Sequence, residues 1–256
     1  MPTRLAFFGA TGGCAGTCLA AALEAGHTCT ALARTPSKLE ATVLDRGASA
    51  DAISSNLTII HGDVRDLPSV QRTIADADLI ISGVGAYPRF QLSLRTPLLS
   101  DDSTICADAT STILKACQSL PPPASGKRKP TLNIISTAGV QEQGKPRALP
   151  LAYLPWYGWL LADPLADKIV MEDIVLAHME LPEDQRGIDG YVMVKPSILT
   201  DGRGKNVEDV RAGQSDCPPV GYSVDRDLVG LWMLRRLVRE DGARGEWKNS
   251  RVTITS

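Results

Sequence analysis

"RLAFFGATGGCAGTCLAAALEAG", residues 4–26, passes from an apolar run, through eight residues of which four are glycine and two alanine, into an Ala- and Leu-rich stretch ending at Gly26. The run 4–10 is short and apolar, as a buried strand is. From Gly16 onward Ala and Leu recur at helical spacing, and Gly26 is placed as a C-terminal stop. The segment therefore predicts strand, Gly-rich turn, helix.

The same alternation continues outward from it. "TCTALA" (28–33) predicts a second strand and "PSKLEATVLDR" (36–46) a helix. "LTIIHGD" (57–63) predicts a third strand, "LPSVQRTIADA" (67–77) a helix and "DLIISGVGA" (78–86) a fourth strand. Residues 101–120 have acidic residues at their start and apolar ones every three or four positions, which predicts a longer helix. "PPPASGKRKP" (121–130) is a loop and "TLNIISTAG" (131–139) a fifth strand. Apolar strands separated by helices predict an α/β fold, a doubly wound parallel sheet with helices on both faces. A helix over 166–180, a sixth strand in "GYVMVKPSIL", a capped helix within 221–238 and a closing strand in "WKNSRVTITS" complete the pattern. We expect one domain over 1–256, with a small C-terminal substrate-capping region and substrate-side insertions at 140–165 and 197–222.

Composition bounds the function. At 256 residues, 43% hydrophobic and 22% charged, the chain can bury a large core. A net charge of -2 offers no long-range attraction to phosphate backbones or anionic lipid, so a small-molecule ligand is expected rather than nucleic acid or membrane. "LAYLPWYGWLLA" (151–162) is interrupted by Pro155 and is much shorter than the ~20 residues of a spanning helix. No secretion signal is visible before the glycine stretch, and a cytoplasmic protein, monomer or homodimer, is expected. The six cysteines have no CxxC pair, which predicts reduced thiols, and with three histidines no zinc-ligand spacing emerges, so no metal is expected.

A doubly wound sheet binds phosphate groups at the turn between its first strand and first helix. There Gly9 would permit a tight turn, Gly12 would let the backbone approach a pyrophosphate, and Ala15 or Gly16 would let the helix pack close to the strands. The end of strand two selects the dinucleotide: an acid for a ribose hydroxyl, a base for a 2'-phosphate. This chain has Arg34, Lys38 and the hydroxyls of Thr35 and Ser37 there, with no acid among them. NADP(H) is expected over NAD(H).

"GATGGCAG", "ARTPSKL", "GDV" (62–64) and "YVMVKPSILTDG" (191–202), in that order, resemble the atypical short-chain dehydrogenases/reductases, close to the NmrA-like and biliverdin reductase B (flavin reductase) types. "LLADPLADKIVMEDIV" further resembles a fungal subgroup of them. The resemblance covers about residues 4–235 and implies a Rossmann fold. It also implies that the amides of Thr11, Gly12, Gly13 and Cys14 cradle the pyrophosphate, with Ala15 where the family often has a third glycine. Asp63 would accept from the adenine amino group beside Val64, and Gly83, Val84 and Gly85 would line the riboses. Pro196, Ser197 and Ile198 would lie near the nicotinamide, and Lys195 stands where the family commonly has arginine, losing the planar fork.

Such reductases typically pair a tyrosine acid with a lysine four residues on. Lys168 occupies the lysine's segment, but Pro164 stands four residues before it, so the usual acid is missing. Lys168 as the ribose-holding cation, Ser136 facing the nicotinamide and Asp167 are the catalytic candidates. Tyr87, Tyr153, Trp156 and Tyr157, with Trp159, suggest walls of a pocket for a flat or apolar substrate, and Arg89 or Arg95 would meet an anionic group on it. The expected activity is reduction of such a molecule by NADPH without a tyrosine acid. An NADP-sensing regulator and a non-redox isomerase or cyclase are the alternatives.

Overall fold

The computed structural model describes residues 3–86, 88–90, 98–121, 128–150, 161–202, 204 and 206–256. Its centre is an eight-stranded sheet. Strands β1 (Arg4–Phe8), β2 (Thr28–Ala33), β3 (Leu57–His61) and β4 (Leu79–Ser82) are followed by the small hairpin of β5 (Pro88–Phe90) and β6 (Leu98–Ser100). Then come β7 (Thr131–Ile135), β8 (Gly190–Pro196), β9 (Ile198–Thr200), β10 (Arg211–Gln214), β11 (Ser223–Asp225) and β12 (Ser250–Thr255). The sheet order is β10-β12-β8-β7-β4-β1-β2-β3, parallel throughout except for β10, which runs antiparallel to β12 at one edge. The doubly wound architecture is as the alternation predicts.

Among the described residues seven α-helices accompany the sheet: α1 (Gly13–Glu24), α2 (Pro36–Asp45), α3 (Ala50–Asn56), α4 (Leu67–Ile74), α5 (Ile105–Ser119), α6 (Ala162–Glu180) and α7 (Arg226–Trp232). The last continues as a π-helical turn through Met233–Arg239. Strand alternation divides the core into two layers. Leu5 and Phe7 of β1 pack with Leu19 and Leu23 of α1 and with Leu228 and Trp232 of α7. Ala6 and Phe8, pointing the other way, pack with Ile74 of α4, Ile113 of α5 and Val175 of α6. Each such large side chain, at 0–5% exposure, stabilises the fold by about 1.5–3 kcal/mol before conformational entropy is counted. In the first layer the Trp232 and Trp247 rings meet at 5.8 Å.

Three places differ from the sequence reading. Helix α3 is hidden in "ADAISSN" because it buries no residue, so no apolar period marks it; Ser49 caps it by accepting from the Ala52 amide. Residues 223–225, at the head of the segment read as a capped helix, form a strand that the sequence does not mark: β11 pairs in parallel with β9 and draws Val224 into the core, and α7 starts at Arg226. The segment 197–222 divides: β9 flanks the ligand side, whereas β10 extends the main sheet at its far edge.

Between β1 and β4 the chain reverses direction across the sheet, since β2 and β3 lie to one side of β1 and all later strands to the other. Carboxyl ends of parallel strands at such a point leave a crevice. The cleft of this protein opens there.

Candidate active site

The cleft measures about 670 Å³ and is floored by the turn after β1, with Gly9, Thr11, Gly12, Gly13, Cys14 and Ala15 on its wall. Gly9 has φ +70, and a Cβ there would lie 2.6 Å from the Gly83 carbonyl carbon. Only glycine lets the β1 and β4 ends approach so closely. Gly12 precedes α1 and its amide donates to the Gly9 carbonyl, closing the turn at 3.0 Å. Among the described residues no side chain caps α1, and its first turn holds no acid. The first-turn amides and the positive end of the helix dipole are thus left for an anion. Gly16, rather than Ala15, is the close-packing residue: a Cβ on it would sit 2.7 Å from the Ala10 carbonyl oxygen.

At the end of β2, Arg34, Thr35 and Lys38 line the cleft, and among the described residues neither cation is in an ion pair. Ser37 is exposed on α2 and is not part of the lining. Asp63 and Val64 line the next section. Asp63 Oδ1 accepts from the Arg65 amide at 2.9 Å and closes a turn. Gly83, Val84 and Gly85 follow β4 along the wall. Pro196 and Ser197 lie off the cleft, where Ser197 is buried with its hydroxyl donating to Thr255 Oγ1. Tyr87, Arg95, Tyr153, Trp156, Tyr157 and Trp159 lie outside the described residues, as does the side chain of Arg89.

At the deep end, α6 presents Lys168 between two strand ends. Its Nζ donates to the Ile135 carbonyl at 2.8 Å and the Val84 carbonyl at 3.2 Å, tying β7 to β4. Asp167 points elsewhere: its two oxygens accept from the amides of Cys106 and Ala107 at 2.8 and 2.9 Å, capping α5. Both oxygens are engaged, the group is 5% exposed and it is absent from the cleft lining. It holds helices together rather than meeting a ligand.

Ser136 ends β7 at the cleft, beside Lys168 in the lining. Its hydroxyl donates to Glu172 Oε1, and Glu172 is 1% exposed. Behind that carboxylate lies a buried ionic cluster. Arg251 of β12 donates from Nε to Glu172 and from Nη1 to Glu142, each at 2.9 Å. Lys195 Nζ donates to the Val140 carbonyl at 2.6 Å and lies 3.4 Å from Glu142 and 3.8 Å from Glu172. Burial would raise the Glu142 pKa, but the Ser215 hydroxyl, Lys195 and Arg251 outweigh it and hold the group below the usual carboxylate range. Lys195 and Arg251, on neighbouring strands, thus face the same two carboxylates.

Two residues at the site escaped the sequence reading. Arg226, inside the predicted helix segment 221–238, lines the cleft over Gly13, where an added Cβ would lie 2.3 Å from its Cδ. Its guanidinium pairs with Asp201. Glu172 follows Lys168 by four residues and so shares its helix face, a spacing that was legible, but the partner across β7 was not. The cysteines are free among the described residues, and Cys14, at the head of α1, has its thiol pushed up to about 12 by burial.

The family model that matches the chain is described as NAD(P)H-binding and covers residues 9–240. The reductase pytE of Aspergillus terreus is 41% identical, with 98% of this chain and 97% of that protein covered. The oxidase pynE of Aspergillus niger is 34% identical, with 98% of each covered. Among solved structures, a short-chain dehydrogenase/reductase from Veillonella parvula in complex with NADP superposes with TM-score 0.62 at 14% identity, covering 100% of this chain and 95% of that one. The anaerobilin reductase ChuY from Escherichia coli O157:H7 gives 0.62 at 17% identity, covering 98% and 96%. These last two are likenesses of fold.

Proposed function

The chain belongs to the NAD(P)H-binding family of Rossmann-fold oxidoreductases, and from that premise we propose that it transfers hydride between NADP(H) and a small apolar or planar organic molecule, in the reductive direction. The observation that carries the reading is the uncapped start of α1 over a glycine cradle that a Cβ would fill, with Arg34 and Lys38 at the adjoining strand end.

Amides of Thr11 to Cys14 would receive the pyrophosphate, with Arg226 closing over it from α7. Arg34 and Lys38, with Thr35, would hold the 2'-phosphate, and Asp63, with Val64, the adenine. Bound there, the nicotinamide supplies or takes the hydride. Lys168 donates to two carbonyls, and its third proton, facing Met171 Sδ at 4.0 Å, would turn to the ribose. Ser136 would meet the reacting oxygen with its hydroxyl. No tyrosine acid is required of an acceptor such as a flavin or quinone, whose oxygen or nitrogen would take its proton from the Ser136 hydroxyl. The preference for flat molecules rests on the aromatic residues of 151–160.

Mixing the protein and NADPH with FMN, menadione, phenanthrenequinone and an aromatic aldehyde tests the reading. We expect nicotinamide absorbance to fall with at least one acceptor. Thermal stabilisation by NADPH with no oxidation across all four would instead favour a cofactor-sensing or non-redox role.

A further inference from the structure

We propose that Ser136 and Glu172 form a proton relay in place of the missing tyrosine, and that the reduced form of the substrate carries a hydroxyl, being an alcohol, enol or phenol. The inference rests on the reading of the cleft as a hydride-transfer site. Ser136 is 4% exposed yet lines the cleft, and its own proton is turned inward onto Glu172. The oxygen therefore offers lone pairs to the cleft and reads a donor on the ligand. Glu172 is buried, and Arg251 at 2.9 Å and Lys195 at 3.8 Å offset the cost of burying its charge. An ion cluster that served stability alone would need no member facing the ligand. Here its outermost link, the Ser136 hydroxyl, is at the cleft.

In the oxidative direction the substrate O–H bond breaks as its proton bonds to Ser136 Oγ, and the proton of Oγ passes to Glu172 Oε1. The O–H electron pair becomes the second bond of the carbonyl as the carbinol C–H pair leaves as hydride to NADP+. In reduction every arrow reverses: hydride reaches the carbonyl carbon, the carbonyl oxygen takes the proton of Oγ, and Oγ recovers one from the Glu172 carboxyl. Exchange with solvent runs on the far side: in reduction Lys195 passes a proton to Glu172 as it takes one from solvent, and in oxidation it takes the proton of Glu172 as it gives one to solvent. Lys195, Glu142 and Ser215 line a second cavity of about 10 Å³, room for one water.

The test compares the full-length wild type with Ser136→Ala, Glu172→Gln and the double variant, using NADPH and phenanthrenequinone. Each single variant is expected to lower kcat about 100-fold, with the NADPH dissociation constant from fluorescence titration within about twofold of wild type. The double variant should be no slower than the slower single, because the two residues act as one unit. Losses that multiply in the double variant, or Ser136→Ala at wild-type turnover, overturn the relay alone. Should Glu172→Gln not fold, Ser136→Ala against Ser136→Thr decides the matter: the threonine hydroxyl is expected to restore turnover, and equal losses in both overturn the relay. A wild type that binds NADPH and reduces none of the four acceptors overturns the hydride-transfer reading and the relay with it.

Discussion

Gly9 shows how much of the site is set by one residue. Its φ of +70 and the 2.6 Å from an added Cβ to Gly83 mean that any side chain must push the β1 and β4 ends apart. Gly9→Ala is expected to cost about 1–3 kcal/mol of stability from the backbone strain, with a larger proportional loss of NADPH affinity, read by thermal melting and fluorescence titration. Unchanged affinity would detach the turn from cofactor binding. Lys195 teaches a different lesson. Its departure from the family's arginine looked like a loss, but the guanidinium fork reaches the same carboxylates from Arg251, fifty-six positions further along the chain. Lys195 was visible in the sequence; its sharing of those carboxylates with Arg251 depends on β12 lying beside β8.

Among elements, α6 does the most varied work. Over two turns it presents Asp167 to the start of α5, Lys168 to the ends of β4 and β7, and Glu172 to Ser136. Successive residues on a helix point about 100° apart, so neighbours Asp167 and Lys168 serve different partners while Lys168 and Glu172 share a face. Asp167→Ala leaves two buried amides of α5 without partners. It should cost about 2 kcal/mol, or roughly 4–8 °C in melting temperature, while NADPH affinity stays near wild type. A selective loss of turnover at full stability would contradict the capping role and return Asp167 to the chemistry. Sequence patterning located α6 and its Asp-Lys pair, since its helical run is continuous. It did not separate cap from site, because that depends on which helix packs alongside.

For the whole molecule, the parallel sheet and the strand-turn-helix at its centre were readable because glycine punctuation and apolar runs are local signals. The cofactor cleft followed from them: Gly12, Arg34, Asp63 and Gly83 all line it. Less legible were contacts set by sheet order. Arg226 over Gly13, β10 at the far edge and the cluster joining Glu142, Glu172, Lys195 and Arg251 unite segments that are distant in the sequence. Ser197 and Pro196, read by resemblance as neighbours of the nicotinamide, lie behind the wall because β8 turns into β9 there.

The account stands on the cleft binding a dinucleotide through its 2'-phosphate. Its most direct test is the ratio of NADH to NADPH dissociation constants for wild type and Arg34→Ala. We expect wild type to prefer NADPH and Arg34→Ala to lose roughly 10–100-fold in NADPH affinity, the worth of charged hydrogen bonds to phosphate, with NADH affinity unchanged. A ratio the same in both proteins would contradict it.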